Sequence, residues 1–239
     1  MAIVSSMGNQ GARAYGFTTG SKTEVSASPV GSAEKTSYGD YIIMTFTSSG
    51  TLVLAGSGGA ADICLVGGGS NGATLTGGSG GSMLVTTTNI VSPIPVVVGG
   101  SATASTAGPL SSSGGSAGGS GGSTPYSVGT GSPGVPGGSG NLNNYRYGSP
   151  QYYGGGGGSG GYGGYNNNAP TGGGSGGAGG GGPGGSSSSP GSSGGTNTGG
   201  GGGGGGYYDG IVYTSPVSYP GGSGGTGIVI FRLPTSSFK

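Results

Sequence analysis

Short apolar runs alternate with small polar residues over positions 40–98, and each run ends at Gly, Ser or Asn. This pattern is typical of β-strands, which favour β-branched residues and stop at turn formers. It predicts five strands, at 41–47, 51–55, 61–66, 82–86 and 94–98. The Ser-Ser-Gly sequence at 48–50 predicts a hairpin turn between the first two.

Several of these runs are apolar on both faces. In the third run Ile63 and Leu65 point to one side of the strand, and Cys64 and Val66 point to the other. Strands of this kind are covered on both sides. Apolar runs return at 211–213 and 227–233, and we expect the last to pair with the earlier strands and close the domain.

Residues 101–206 form a tract of Gly, Ser, Pro, Asn and Tyr with neither a helical nor a strand period, ending in unbroken glycine at 199–206. Such composition usually indicates disorder. The tract, however, contains a single charge, Arg146, and disordered chains normally need more charge to stay solvated. We therefore expect an ordered tract that forms loops within the domain.

An ordered glycine tract can adopt the left-handed helix with three residues per turn, packed side by side. Collagen is excluded because 111–117 and 165–169 break its triplet period. Backbone hydrogen bonds worth about 1 kcal/mol each would replace the missing core. They must offset the entropy of ordering glycine, roughly 0.5–1 kcal/mol per residue beyond alanine.

The predicted fold class is all-β plus irregular, with short antiparallel strands templating a lattice of polyglycine II helices and essentially no α-helix. Residues 1–37, mixed and polar, are expected to form an N-terminal attachment arm. Residues 38–239 are expected to form one glycine-rich β/polyglycine domain. Its parts are strands in 40–98, Gly-rich loops in 101–206 and closing strands in 211–233.

Composition narrows the function. The chain has 71 glycines among 239 residues, and only six Lys and Arg against five Asp and Glu. Binding to nucleic acid or to an anionic membrane surface needs a cluster of basic residues, so neither partner is expected. The first ten residues carry no basic or apolar signal segment, which predicts a chain made in a cytoplasm without a signal peptide that either stays there or leaves by lysis rather than by secretion.

Catalytic chemistry lacks its usual residues. The chain has no histidine and a single cysteine, Cys64, in an apolar run where a buried thiol is the ordinary expectation. Metal sites and nucleophile–histidine pairs are therefore not expected. The five acids, Glu24, Glu34, Asp40, Asp62 and Asp209, are too scattered for a carboxylate pair. We predict a protein that is not an enzyme and that carries no cofactor or metal.

Tyrosine is the one large side chain concentrated in the tract, often beside asparagine. Binding loops favour this combination, because Tyr offers a rigid ring and Asn adaptable polar contacts. Rings that plug the lattice or pack between strands are the alternative, and both remain open for any single Tyr. The segment 141–153 favours a binding surface. The candidate contact residues are Tyr145, Arg146, Tyr147, Tyr152, Tyr153, Tyr162, Tyr165, Asn166, Asn167, Asn168, Tyr207 and Tyr208.

The strand pair at 41–55, Ala-Asp-Ile-Cys-Leu-Val-Gly-Gly-Gly at 61–69, Ile-Pro-Val-Val-Val-Gly-Gly at 94–100 and Gly-Gly-Thr-Gly-Ile-Val-Ile-Phe-Arg at 224–232 form a recognisable series. Over 38–233 it resembles the glycine-rich domain of tailed-phage tail-fibre and receptor-binding proteins. The resemblance implies a sandwich of polyglycine helices whose variable loops recognise the host. The scaffold would comprise the glycine runs 154–158, 172–174, 179–182 and 199–206, with the Tyr/Asn segments as loops.

The resemblance implies a virion protein of the tail fibre or tail tip, working in host attachment. Its partners would be a host cell-surface receptor, an outer-membrane protein or glycan, and other tail or fibre proteins held by the N-terminal arm, with a homotrimer left open. The arm lacks the tryptophans that such adhesins use for docking. A second hypothesis is therefore a non-enzymatic structural glycine-rich protein of a virion or of a self-assembling extracellular filament.

Overall fold

A computed structural model describes residues 22–27, 33–115, 120–122, 133–164, 171–210 and 215–239. These residues form fifteen β-strands and contain no helix, which confirms the predicted all-β plus irregular class. The strands are β1 (Glu24–Ala27), β2 (Ala33–Tyr38), β3 (Tyr41–Phe46), β4 (Gly50–Ala55), β5 (Gly59–Val66), β6 (Met83–Ile90), β7 (Ile94–Val97), β8 (Ser105–Ala107), β9 (Leu110–Ser112), β10 (Asn141–Asn143), β11 (Gln151–Tyr153), β12 (Tyr162–Gly163), β13 (Tyr207–Tyr208), β14 (Val217–Ser218) and β15 (Ile228–Pro234).

Two five-stranded sheets pack face to face as a sandwich. The first sheet has the order β2-β3-β15-β5-β6 and the second has the order β1-β4-β7-β8-β9. Alternate residues of each sheet enter a common apolar core, in which Phe46 and Phe231 meet edge to face with ring centres 5.9 Å apart. This sandwich core further includes Met44, Ile63, Leu65, Val229 and Leu233 from the first sheet and Leu52, Leu54, Ile94 and Val96 from the second.

The final strand closes the first sheet, as the sequence predicted. β15 lies between β3 and β5 and is antiparallel to both, pairing Phe231 with Met44 on one side and Ile63 on the other. The first sheet is also covered on both faces. In β5 the Ile63 and Leu65 side chains enter the sandwich core, while Cys64 and Val66 enter a second apolar cluster on the opposite face.

The prediction of a hairpin between the first two predicted strands is wrong. β3 pairs with β2 and β15 in the first sheet, whereas β4 pairs with β1 and β7 in the second. The polar turn at 47–49 therefore carries the chain from one sheet to the other. The strands separate because β3 is apolar on both faces and belongs in the doubly covered sheet, whereas β4 alternates and buries only one face.

Residues within 1–37 also contribute to the sandwich. β1 and most of β2 fall in this range and form an edge of the second and the first sheet, respectively. Attachment through the remaining residues stays a prediction. The apolar run at 211–213 lies outside the described residues. The short strands β8 to β14 were not predicted, since two or three residues cannot display a period.

Beyond the sandwich, glycine-rich segments run side by side and replace an apolar core with main-chain hydrogen bonds. The segment 199–206 lies at the centre of this glycine lattice. The amides of Gly201 and Gly204, three residues apart, donate to the carbonyls of Gly155 and Gly158 at 2.8 and 2.7 Å. This spacing is that of a helix with three residues per turn. Other segments of the lattice are 67–72, 77–82, 133–140, 154–161, 172–178, 179–185, 189–195 and 220–225.

The central segment has six neighbours, as in hexagonal packing. Its amides donate to three segments: Gly201 to 154–161, Gly202 to 67–72 and Gly203 to 189–195. Its carbonyls accept from three others, 77–82, 179–185 and 220–225. Each consecutive residue thus faces a different neighbour, so the segment has no free side on which a side chain could lie.

The close packing explains the unbroken glycine. A β-carbon built on Gly201, Gly202 or Gly203 would lie 2.0 Å from a carbonyl oxygen of a neighbouring segment. Outer segments carry side chains where they face solvent, as at Ser175 and Pro183, and glycine where they face inward. Several strands continue directly into lattice segments, including β5 into 67–72 and β11 into 154–161. The sandwich and the lattice are therefore connected by continuous chain at several points.

The reactivity of Cys64 tests whether the outer face of the first sheet is buried in the folded protein. The thiol is fully buried, and burial raises its pKa to about 12. Because the thiolate is the reactive form, we expect no reaction of the folded protein with a disulfide reagent at pH 8 and complete reaction in denaturant. A reaction within seconds under native conditions would show that the covering layer opens readily.

Candidate functional site

The tyrosines predicted to bind a receptor fall in two places. One group lies on the hairpin formed by β10 and β11, which covers the outer face of the first sheet. The other caps the far end of the glycine lattice, where β12, β13 and β14 form a small three-stranded sheet. The two groups differ in how many of their rings reach solvent.

The hairpin docks through two rings. Tyr153 is only 4% exposed and packs in the second apolar cluster with Ile43, Cys64, Val66, Ile228 and Ile230, and Tyr145 packs against that cluster. Burial raises the pKa of Tyr153 to about 12 and also raises that of Tyr145. These two side chains therefore belong to the scaffold that fixes the hairpin.

A charged clamp adds to this docking. The Arg232 guanidinium lies between the rings of Tyr41 and Tyr145, at 4.5 and 4.2 Å from their centres. Its Nε and Nη2 donate to Asp62 Oδ2 at 2.9 and 2.7 Å. Burial tends to raise the pKa of Asp62, but bonds from Thr87 and Arg232 and the charge of Arg232 together lower it. The carboxylate thus stays ionised, and the clamp fixes the Tyr145 ring.

Arg146 is similarly committed within the molecule. Its Nη2 lies 3.5 Å from Glu34 Oε2, and its guanidinium lies 4.8 Å from the centre of the Tyr147 ring. The turn behind it is closed by the Gly148 amide, which donates to the Asn144 carbonyl at 2.9 Å. Gly148 has a positive φ of 71° and lies directly against the Tyr38 ring, where a β-carbon would not fit. The loop is thereby held on β2.

The outer face of the hairpin carries an exposed aromatic and apolar surface. Leu142 and Tyr152 are cross-strand partners, 51% and 45% exposed, and Tyr147 is 52% exposed. A shallow cleft of about 210 Å³ between Leu142, Asn143, Asn144 and Pro150 lies beside them. We call this surface the tyrosine platform; its residues are Tyr38, Leu142, Asn144, Tyr147, Pro150 and Tyr152.

In the lattice cap one of the three tyrosine rings is enclosed. Tyr162 is fully buried, stacks on Tyr207 with ring centres 5.8 Å apart, and donates its hydroxyl to Asp209 at 3.1 Å. Tyr207 and Tyr208 are half-buried. The candidates Tyr165, Asn166, Asn167 and Asn168 lie outside the described residues.

Burial divides the predicted contact residues. Tyr153 and Tyr162 are removed from the candidate receptor contacts because their rings are enclosed, so for these two residues the alternative of packing inside the fold holds. Tyr145 and Arg146 hold the hairpin, whereas Tyr147 and Tyr152 are available. Of the other platform residues, Leu142, Asn144 and Pro150 lie in the segment 141–153, which the sequence marks as a binding surface, but they are not among the named contact residues. Tyr38 lies outside that segment, and no local signal points to it.

The sequence and the fold match no known family model, no curated protein and no solved structure. In the part of the chain that the structure describes, no group of three or more His, Cys, Asp or Glu side chains could hold a metal ion. No helix among the same residues is long and apolar enough to cross a membrane. The arrangement consists of a β-sandwich, a glycine lattice and an exposed aromatic platform.

Proposed function

We propose that this chain is a bacteriophage tail-fibre adhesin or tail-tip receptor-binding protein that recognises the host cell surface. The observation that carries the proposal is a lattice held by main-chain bonds, seen in the six-neighbour segment 199–206, together with exposed rings on the hairpin whose strand β11 runs into that lattice. These rings are Tyr147 and Tyr152. The sequence resemblance to glycine-rich phage domains points the same way.

The architecture suits an adhesin working outside a cell. Main-chain bonds between glycine segments do not depend on charge, and only 5% of the residues are charged, so ionic strength should affect the scaffold little. A rigid support also lowers the entropy lost when a ligand binds. The exposed Tyr side chains provide contact area without the rotamer entropy of long flexible residues.

Adsorption to cells tests the proposal. Fluorescently labelled protein should bind saturably to at least one strain in a panel of Gram-negative bacteria. Changing Tyr147 and Tyr152 together to alanine should raise the half-saturation concentration about tenfold or more, as expected when central aromatic contacts are removed. Val91→Ala removes a side chain that is 68% exposed elsewhere on the sandwich and should leave binding unchanged.

The outcomes separate the two hypotheses for this protein. Saturable adsorption that the double variant does not weaken would move the contact surface to the lattice cap. Failure of the wild-type protein to adsorb to any strain would contradict the adhesin proposal and favour the structural role in a virion or filament.

A further inference from the structure

We infer that the tyrosine platform is a binding site for an uncharged carbohydrate, which makes the proposed receptor a neutral surface glycan. This inference rests on the proposed function and narrows it to one class of ligand. Four features support it: the chemistry of the exposed side chains, the pairing of the nearby charges within the molecule, the size of the cleft and the rigidity of the hairpin.

The platform combines the two kinds of group that a sugar needs. A pyranose ring has an apolar face of C–H groups, which can pack on the exposed rings of Tyr147 or Tyr152 and on Leu142. Its hydroxyls need donors and acceptors at the edge of that contact. The exposed Asn144 amide and the tyrosine hydroxyls provide both.

Charge decides between neutral and acidic glycans. Arg146 is held by Glu34 and the Tyr147 ring, and Arg232 by Asp62 and two other rings. Each cation already faces a carboxylate within the molecule, and the Arg146 Nε, which has no hydrogen-bond partner, is buried, so an acidic sugar would have to compete with Glu34 or Asp62. An acidic ligand would lose hydration of its charged group without gaining a free counter-charge on the platform. A neutral ligand does not incur that desolvation cost.

The cleft fits one sugar ring. Its volume of about 210 Å³ falls below the roughly 300–1,000 Å³ of sites that enclose drug-sized ligands. It is lined by two apolar side chains, Leu142 and Pro150, and two amide side chains, Asn143 and Asn144. A polysaccharide could place one residue in the cleft and its neighbour over Tyr152, the cross-strand partner of Leu142.

The hairpin is fixed before any ligand arrives. The buried Tyr153 and the Arg232–Tyr145 contact hold its inner face, and the Asn143 side chain accepts from the Tyr145 amide at 2.8 Å. Weak individual contacts to a sugar can therefore add up, because little conformational entropy remains to be lost.

The test uses the strain to which the wild-type protein adsorbs and two treatments of its cells. Periodate, which cleaves vicinal diols of sugars, should abolish adsorption, and protease treatment of the cell surface should not. Polysaccharide extracted from that strain should compete for binding, with an affinity that changes less than twofold between low and high salt, as expected for an uncharged ligand.

Point variants locate the site. Tyr152→Ala should weaken polysaccharide binding about tenfold, Tyr152→Phe should retain most of it because the ring remains, and Val91→Ala should match the wild type. Adsorption that survives periodate and is lost with protease would overturn the inference and indicate a protein receptor, while leaving the adhesin proposal intact. Strong salt dependence, or unchanged binding by Tyr152→Ala, would also overturn it. Absence of adsorption to any strain would instead defeat the proposed function.

Discussion

Replacing Gly202 with alanine should destabilise the protein by more than about 3 kcal/mol. The new methyl group would lie 2.0 Å from the carbonyl oxygen of Gly222, inside the closest possible contact. Overpacking costs about 1–3 kcal/mol where side chains can give way, but here only main chain surrounds the methyl group, so the cost should exceed that range. We expect a melting temperature at least about 6 °C lower, or insoluble protein.

Gly172→Ala is the matched control, because Gly172 also belongs to a polyglycine segment. A β-carbon there meets no atom within 4 Å, and the residue is exposed. This variant should be as stable as the wild type or about 0.4–1 kcal/mol more stable, since alanine restricts the unfolded chain. Equal destabilisation by the two variants would mean that the close packing around 199–206 does not carry the stability.

Phe231→Ala should cost about 3–5 kcal/mol of unfolding free energy, the usual loss when a large aromatic side chain is removed from a core. Phe231 is fully buried at the centre of the first sheet and packs edge to face on Phe46. Removing it leaves a cavity that neighbouring strands, paired on both sides of β15, cannot fill. Denaturant unfolding followed by circular dichroism measures the loss.

The same experiment tests whether sandwich and lattice unfold together. Because the strands run directly into the glycine segments, Phe231→Ala should shift one transition. Residue-resolved NMR signals of Tyr162 in the lattice cap and Tyr145 on the sandwich should change at the same denaturant concentration. Two separate transitions would show that the lattice does not need the sandwich. Val91→Ala, at an exposed position, should change stability by no more than about 0.5 kcal/mol.

The lattice resolves a difficulty posed by the composition. A chain with so few large apolar side chains cannot build a core for its whole length, and the sandwich core is confined to the two sheets. In the glycine segments of the lattice, main-chain groups bond to one another at distances that only glycine permits. Each bond contributes little, so the arrangement needs many bonds at once and a template that sets the first of them.

Much of the fold followed from local pattern. The two-sided apolar run at 61–66 predicted a strand covered on both faces, and β5 is that strand. The run at 227–233 predicted a closing strand paired with the earlier ones, and β15 pairs with β3 and β5. The charge-poor glycine tract predicted packed polyglycine helices, and the six-neighbour arrangement of 199–206 agrees. The sequence also located the tyrosine segments, since large rings stand out among glycines.

Which strands pair with each other, and which side chains pack together, was decided by tertiary structure alone. The turn at 47–49 could serve a hairpin or a crossing between sheets, and only the assembled sandwich selected the crossing. The fate of each tyrosine was equally non-local: Tyr153 is buried by residues of β3, β5 and β15, while Tyr152 beside it faces solvent. Local sequence determines which groups need cover or bonds, but which segment supplies them depends on contacts between residues far apart in the chain, and these exist only once the chain has folded.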